Sequence, residues 1–179
     1  MSNDEEGVTP GTLIDGARMY SACADAVNDK HPNALHVLSH MLGMSIELAL
    51  KAFLRHRGRS VRDLRRLNHD LVRIFEECTQ EGLTRTGSRN FVMHVLGDLY
   101  EKRAFAYPQE AVLSVIMPWR LRQMANELIG EIFPLIHPDA LEGLGAEPPG
   151  LSILSEYPED LTASAWALTP TMDGPSGDA

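Results

Sequence analysis

The run SIELALKAFL, residues 45–54, sets Ile46, Ala49, Leu50 and Phe53 three and four positions apart, the spacing that stacks side chains on one face of an α-helix. Extended backward, the same register collects Leu35, Leu38 and Leu42. Extended forward, it reaches Arg57 and then Gly58, a residue suited to the left-handed turn that closes a helix. The spacing therefore predicts a helix from about Asn33 to Arg57. A second run, NHDLVRIF at 68–75, predicts another: Asn68 is read as its cap, Leu71, Ile74, Phe75 and Cys78 share one face, and Gly82 ends it.

Working outward, Thr12 is read as the cap of a first helix running to about Asn28. Leu13, Ala17, Tyr20, Ala24 and Val27 are its inward residues, and the pair His31-Pro32 stops it. Ser88 is read as capping a helix with Phe91, Val92, Val95, Leu96 and Leu99 inward. Pro118 suits the first position of a last helix carrying Leu121, Met124, Leu128 and Ile132. VLSVIM, residues 112–117, fits a buried helical turn or a short strand equally well. No alternating strand pattern and no internal repeat occurs. The expected fold is thus an all-α bundle of four to five helices over residues 12–137, between a disordered start (1–11) and a flexible acidic tail (138–179).

Composition limits the function classes. A chain of 179 residues holds one sizeable core. The net charge of −9 lies mostly in residues 138–179, which carry eight acids and no Lys or Arg. Residues 51–73 are the opposite: Lys51, Arg55, Arg57, Arg59, Arg62, Arg65, Arg66 and Arg73 face only Asp63 and Asp70. Cys23 and Cys78 have no partner at disulfide or zinc spacing and read as small buried hydrophobes. The acidic start lacks a signal peptide's pattern, and no apolar run approaches the roughly 18 residues of a membrane span, so a cytoplasmic location without membrane contact is expected.

LSHMLGMSIELALKAFLRHRG (38–58), LNHDLVRIFEEC (67–78) and LGDLYEKRAFAYP (96–108) together make the chain resemble the HEPN family from about residue 33 to Ile136. The resemblance implies a helical bundle that dimerises with a second copy. It also implies one of two kinds of activity: a metal-independent endoribonuclease of toxin–antitoxin or phage-defence systems, or a silent module that binds RNA or a nucleotide. An antitoxin or a nucleotidyltransferase is the protein partner such settings imply. One departure concerns Tyr107. Many relatives read Arg-Tyr-Pro where this chain has Ala106-Tyr107-Pro108, so phosphate binding there loses an arginine.

Individual residues carry the candidate chemistry. Glu47 and Lys51 are four apart with the acid first, the order that favours a helical ion pair. The resemblance covers them together with His69 and Asp70, implying one polar cluster between two helices. Arg89, Asn90 and His94 match the ribonuclease pattern of an arginine, a polar residue and a spaced histidine. A histidine can move the proton of a ribose hydroxyl while an arginine stabilises charge on phosphorus. Arg62-Asp63 followed by His69 matches the same spacing, and roughly 1.5 such matches are expected from composition alone. Arg62, Arg65 and Arg66 offer sequence-independent phosphate contacts, although the segment lacks interleaved aromatics for base stacking. His36 and His40 have metal spacing without a third ligand, and no glycine loop cradles a phosphate, so neither metal nor cofactor is expected. Three functions stay open: a module binding RNA, a nucleotide or a partner protein; an endoribonuclease using Arg89 and His94; and a plain dimerisation domain.

Overall fold

The computed structural model describes residues 7–101 and 118–140, all of them in the first of the chain's two units, Met1–Gly143. Tyr107, the 112–117 run and the tail beyond residue 140 lie outside the described residues. Those described form six helices and one 3-10 turn, with no strand among them.

α1 spans Pro10–Lys30. Its cap is Thr9 rather than Thr12. The Thr9 side chain accepts from the Thr12 amide at 3.0 Å, and the Thr12 hydroxyl accepts from the Thr9 amide at 2.9 Å. This reciprocal pair satisfies two amides that the first turn cannot, and Pro10 supplies a first position that needs no N–H. The chain is also tied to the bundle ahead of residue 12, where Arg55 Nε donates to the Val8 carbonyl at 3.1 Å. The buried stripe is Ile14, Ala17, Ser21 and Ala24, while Tyr20 is exposed. Small residues decide that rotation. They let α1 approach the next helix closely enough for Ser45 Oγ to donate to the Ala17 carbonyl at 2.8 Å.

α2, Leu35–His56, is the centre of the bundle, packed against α1 and the helices described below. Leu38, Leu42, Ile46, Ala49, Leu50, Phe53 and Leu54 are fully or almost fully buried, whereas Leu35 in the uncapped first turn is exposed. Contrary to expectation, α2 is long and apolar enough to cross a bilayer by length and composition. However, 67% of that stretch is buried inside the protein, which is how the central helix of a bundle is surrounded. Gly58, at φ +93°, ends it as its sequence position implies.

The segment expected as a basic connector contains a further helix, α3, Val61–Arg66. Ser60 and Asp63 form a second reciprocal capping pair, and Val61, Leu64 and the following Leu67 are buried. α4, Leu71–Gln80, is capped by Asp70, which accepts from the Arg73 amide at 3.0 Å. Asn68 instead takes a left-handed conformation at φ +50°, one that asparagine tolerates better than most residues. Leu71, Ile74, Phe75 and Cys78 are buried as expected, and Gly82 at φ +99° ends the helix. Burial pushes the Cys78 thiol far up, so it stays protonated, while Cys23 is exposed rather than buried.

α5, Gly87–Glu101, packs on α4, and α6, Pro118–Ile136, packs on α1 and α2. Leu121, Met124, Ala125, Leu128 and Ile132 are the buried face of α6. α1 and α6 run antiparallel: Arg122 pairs with Asp25 at 2.7 Å, and Arg18 lies 4.6 Å above the Phe133 ring.

Candidate functional site

Where α2 meets the connection between α3 and α4, the bundle buries a carboxylate. Glu47 is 2% exposed, placed on the inner face of α2 by the same register that buries Ile46 and Leu50. Lys51, one turn later, approaches Glu47 Oε1 at 2.5 Å. Its ammonium also donates to the Asn68 carbonyl at 2.7 Å. The left-handed turn at Asn68 thus brings a backbone acceptor to the lysine and sets the next residue, His69, over the acid. His69 Nδ1 lies 3.1 and 3.0 Å from the two Glu47 oxygens. Burial of such a carboxylate strips it of water, and partners of this kind offset that cost.

Glu47, Lys51 and His69 therefore form one seam. Asp70 borders it, but its carboxylate serves the first turn of α4. Asn68, read from the sequence as a cap, contributes its carbonyl instead, and nothing in a linear pattern shows where a carbonyl points.

The basic segment divides into two sets. Arg55 binds the carbonyls of Val8 and Arg59, Arg57 lies 5.0 Å above the Phe53 ring, Arg59 pairs with Glu77 and Glu81, and Arg73 pairs with Glu77. These side chains hold the bundle together. Arg62, Arg65 and Arg66 are exposed on α3, where Arg66 pairs loosely with Asp63 at 3.6 Å and Arg65 also has a partner. The buried Val61 and Leu64 fix that outward direction.

Arg89, Asn90 and His94 are not brought together. Arg89 is 7% exposed and donates to Glu131 Oε2 at 2.7 Å and to the Thr84 carbonyl at 3.0 Å, with Glu127 at 3.7 Å from its Nε. Asn90 accepts from Arg85 Nε at 2.8 Å. His94 is exposed, five residues along α5 and thus about 140° around it from Arg89. The arginine ties α5 to α6, and within one chain its guanidinium does not face the histidine. No linear pattern singles out Glu127 and Glu131, its acidic partners on α6.

No family model, curated protein or solved structure matches the chain. What the site can do must come from its own geometry. Among the described residues, no three His, Cys, Asp or Glu side chains gather to hold a metal ion. His36 is half-buried and His40 exposed. The arrangement offers a cationic rim of three arginines, and beside it an imidazole held by a buried acid.

Proposed function

We propose that the chain is a HEPN-like module that binds RNA through its phosphates on the α3 face. The observation that carries this reading is the outward placement of Arg62, Arg65 and Arg66 on a helix whose other side is anchored in the core. Guanidinium groups match phosphate oxygens with two parallel donors, and a rim fixed to a packed helix presents them without first having to be ordered. The rim carries no aromatic residue for stacking, so contacts to phosphate, independent of base sequence, are its natural mode.

Anisotropy of a labelled single-stranded oligoribonucleotide, titrated at several salt concentrations, tests the reading. Affinity should fall steeply with salt. Replacing Arg62, Arg65 and Arg66 together by alanine should flatten the logarithmic salt slope by about 2, since each phosphate contact on a single strand contributes about 0.7. Intact chain that shows no binding at low salt would remove the RNA reading and leave a dimerisation domain. Sedimentation of dilute protein would then test that alternative.

A further inference from the structure

Opposite its buried stripe of Ile14, Ala17, Ser21 and Ala24, α1 keeps a second face exposed along its length. Asp15, Met19, Ala22, Ala26 and Lys30 follow one another on that face at three- and four-residue steps, with Cys23 beside Ala22. Met19 is 68% exposed, more than any other large apolar side chain among the described residues. Trp119 is 51% exposed and begins α6 one turn before the Arg122 that pairs with Asp25, which sets it alongside the last turns of α1. Exposed bulky apolar residues gathered on one side of a protein mark a contact surface, and aromatic and methionine side chains are the ones such surfaces favour. Ala22 and Ala26 let another helix approach closely, and Met19 is the side chain long enough to fill the hollow they leave.

The order of residues on this face identifies its partner. Asp15 and Lys30, Met19 and Ala26, and Ala22 and Cys23 are each placed symmetrically about one point, midway between residues 22 and 23. A two-fold axis through that point lays the helix antiparallel on a copy of itself. Each Met19 then meets the small Ala26 of the other copy, and each Asp15 meets the other copy's Lys30. A parallel pairing would set acid against acid and lysine against lysine, so charge selects the antiparallel one and fixes its register. Asp15 has room for a second cation, because its existing pair with Arg18 is loose, at 3.8 Å, with both side chains more than half exposed. We propose that this face of α1 is the docking surface for a second copy of the chain, paired antiparallel about Ala22 and Cys23. None of the arginines assigned to RNA lies on it, so the contact stands apart from the RNA-binding reading.

Sedimentation equilibrium of the full chain over a range of concentrations tests the contact. Wild type should pass from one to two chain masses, whereas Met19→Glu, altered only at an exposed position, should stay at one with an unchanged circular dichroism spectrum. Lys30→Asp sets two acids together at both ends of the interface and should raise the dissociation constant about tenfold. Adding Asp15→Lys to it reverses both members of each pair and should restore wild-type association, a rescue that a parallel or unrelated contact would not give. The unaltered chain supplies a further readout. Cys23 is the exposed thiol of the chain's two cysteines and Cys78 the buried one, so a short bis-maleimide should join two wild-type copies through Cys23 and fail with Cys23→Ser. Wild type that remains a single chain at every concentration overturns the proposal. So does a dimer unaffected by Met19→Glu, a charge reversal that the second reversal does not rescue, or a wild-type dimer that the reagent does not join.

Discussion

Arg89 of α5 donates to Glu131 of α6 at 2.7 Å, and the same carboxylate accepts from the Thr84 amide at 3.3 Å. The pair fastens the head of α5 to α6. Because Arg89 is almost fully buried, removing it strips two acids of their cation. Arg89→Met should lower unfolding stability by about 2 kcal/mol, less than the cost for a fully enclosed pair because Glu127 and Glu131 retain water. Urea unfolding measures it. Arg89→Met combined with Glu131→Leu should recover part of the loss, since the charge left without a partner goes too.

The same contact sets an acid limit. Burial would raise the Glu131 carboxyl, but the hydrogen bonds from Arg89 and Thr84 outweigh it and hold the group below its ordinary value of 4.5. A carboxylate depressed in the folded state contributes stability that is complete above that ordinary value and is lost as pH falls through the lower folded one. The urea midpoint should therefore drop as pH falls below 4.5. In Glu131→Gln it should drop less over the same interval, and an equal drop in both proteins would reject this assignment.

What could be read from the sequence follows from how local each cause is. The registers of α2, α4 and α6, the glycine ends at Gly58 and Gly82, and the proline start at Pro118 depend on neighbours within a turn, and the structure has them. α3 was equally local: Ser60 and Asp63 carry a capping pair, but two apolar residues among arginines gave too faint a periodicity to outweigh the charge. On α1 the periodicity places Ala17 and Ala24 in the core and Leu13 and Val27 at its edge, but it favours Tyr20 over Ile14 and Ser21, whereas close packing takes the smaller Ser21. At the site, Glu47 and Lys51 are visible as a spacing on one helix. Their union with His69 depends on a turn at Asn68, and the partners of Arg89 sit 42 residues away along the chain, beyond any local pattern.

Gly97 on α5 gives a prediction whose sign runs against helix propensity. Gly→Ala inside a helix ordinarily stabilises by up to about 1 kcal/mol. Here an added Cβ would stand 2.5 Å from Val72 Cγ2, with the Val72 backbone nitrogen behind it at 3.6 Å. Valine in a helix has one strongly preferred rotamer, so its methyl cannot swing away cheaply, and α4 must move instead. Gly97→Ala should destabilise by about 1–3 kcal/mol. Adding Val72→Ala should make the substitution at 97 close to neutral, a coupling that a thermal-denaturation cycle of the four proteins would measure.

The seam at Glu47 predicts unequal consequences for its two α2 members. Lys51→Met removes the ammonium but leaves the carboxylate in place, 2% exposed and supported from one side by His69. Removing one partner of a buried pair exposes the desolvation cost of the other, and about 3 kcal/mol of stability should be lost. Glu47→Gln keeps the shape and an acceptor for Lys51, whose side chain is somewhat better hydrated, so it should cost less, about 1–2 kcal/mol. The double variant should be more stable than Lys51→Met alone, because the charge that had no counterpart is gone. If the double variant is instead less stable by the sum of the two single effects, Glu47 and Lys51 do not act on one another, and the seam holds the bundle together through packing alone.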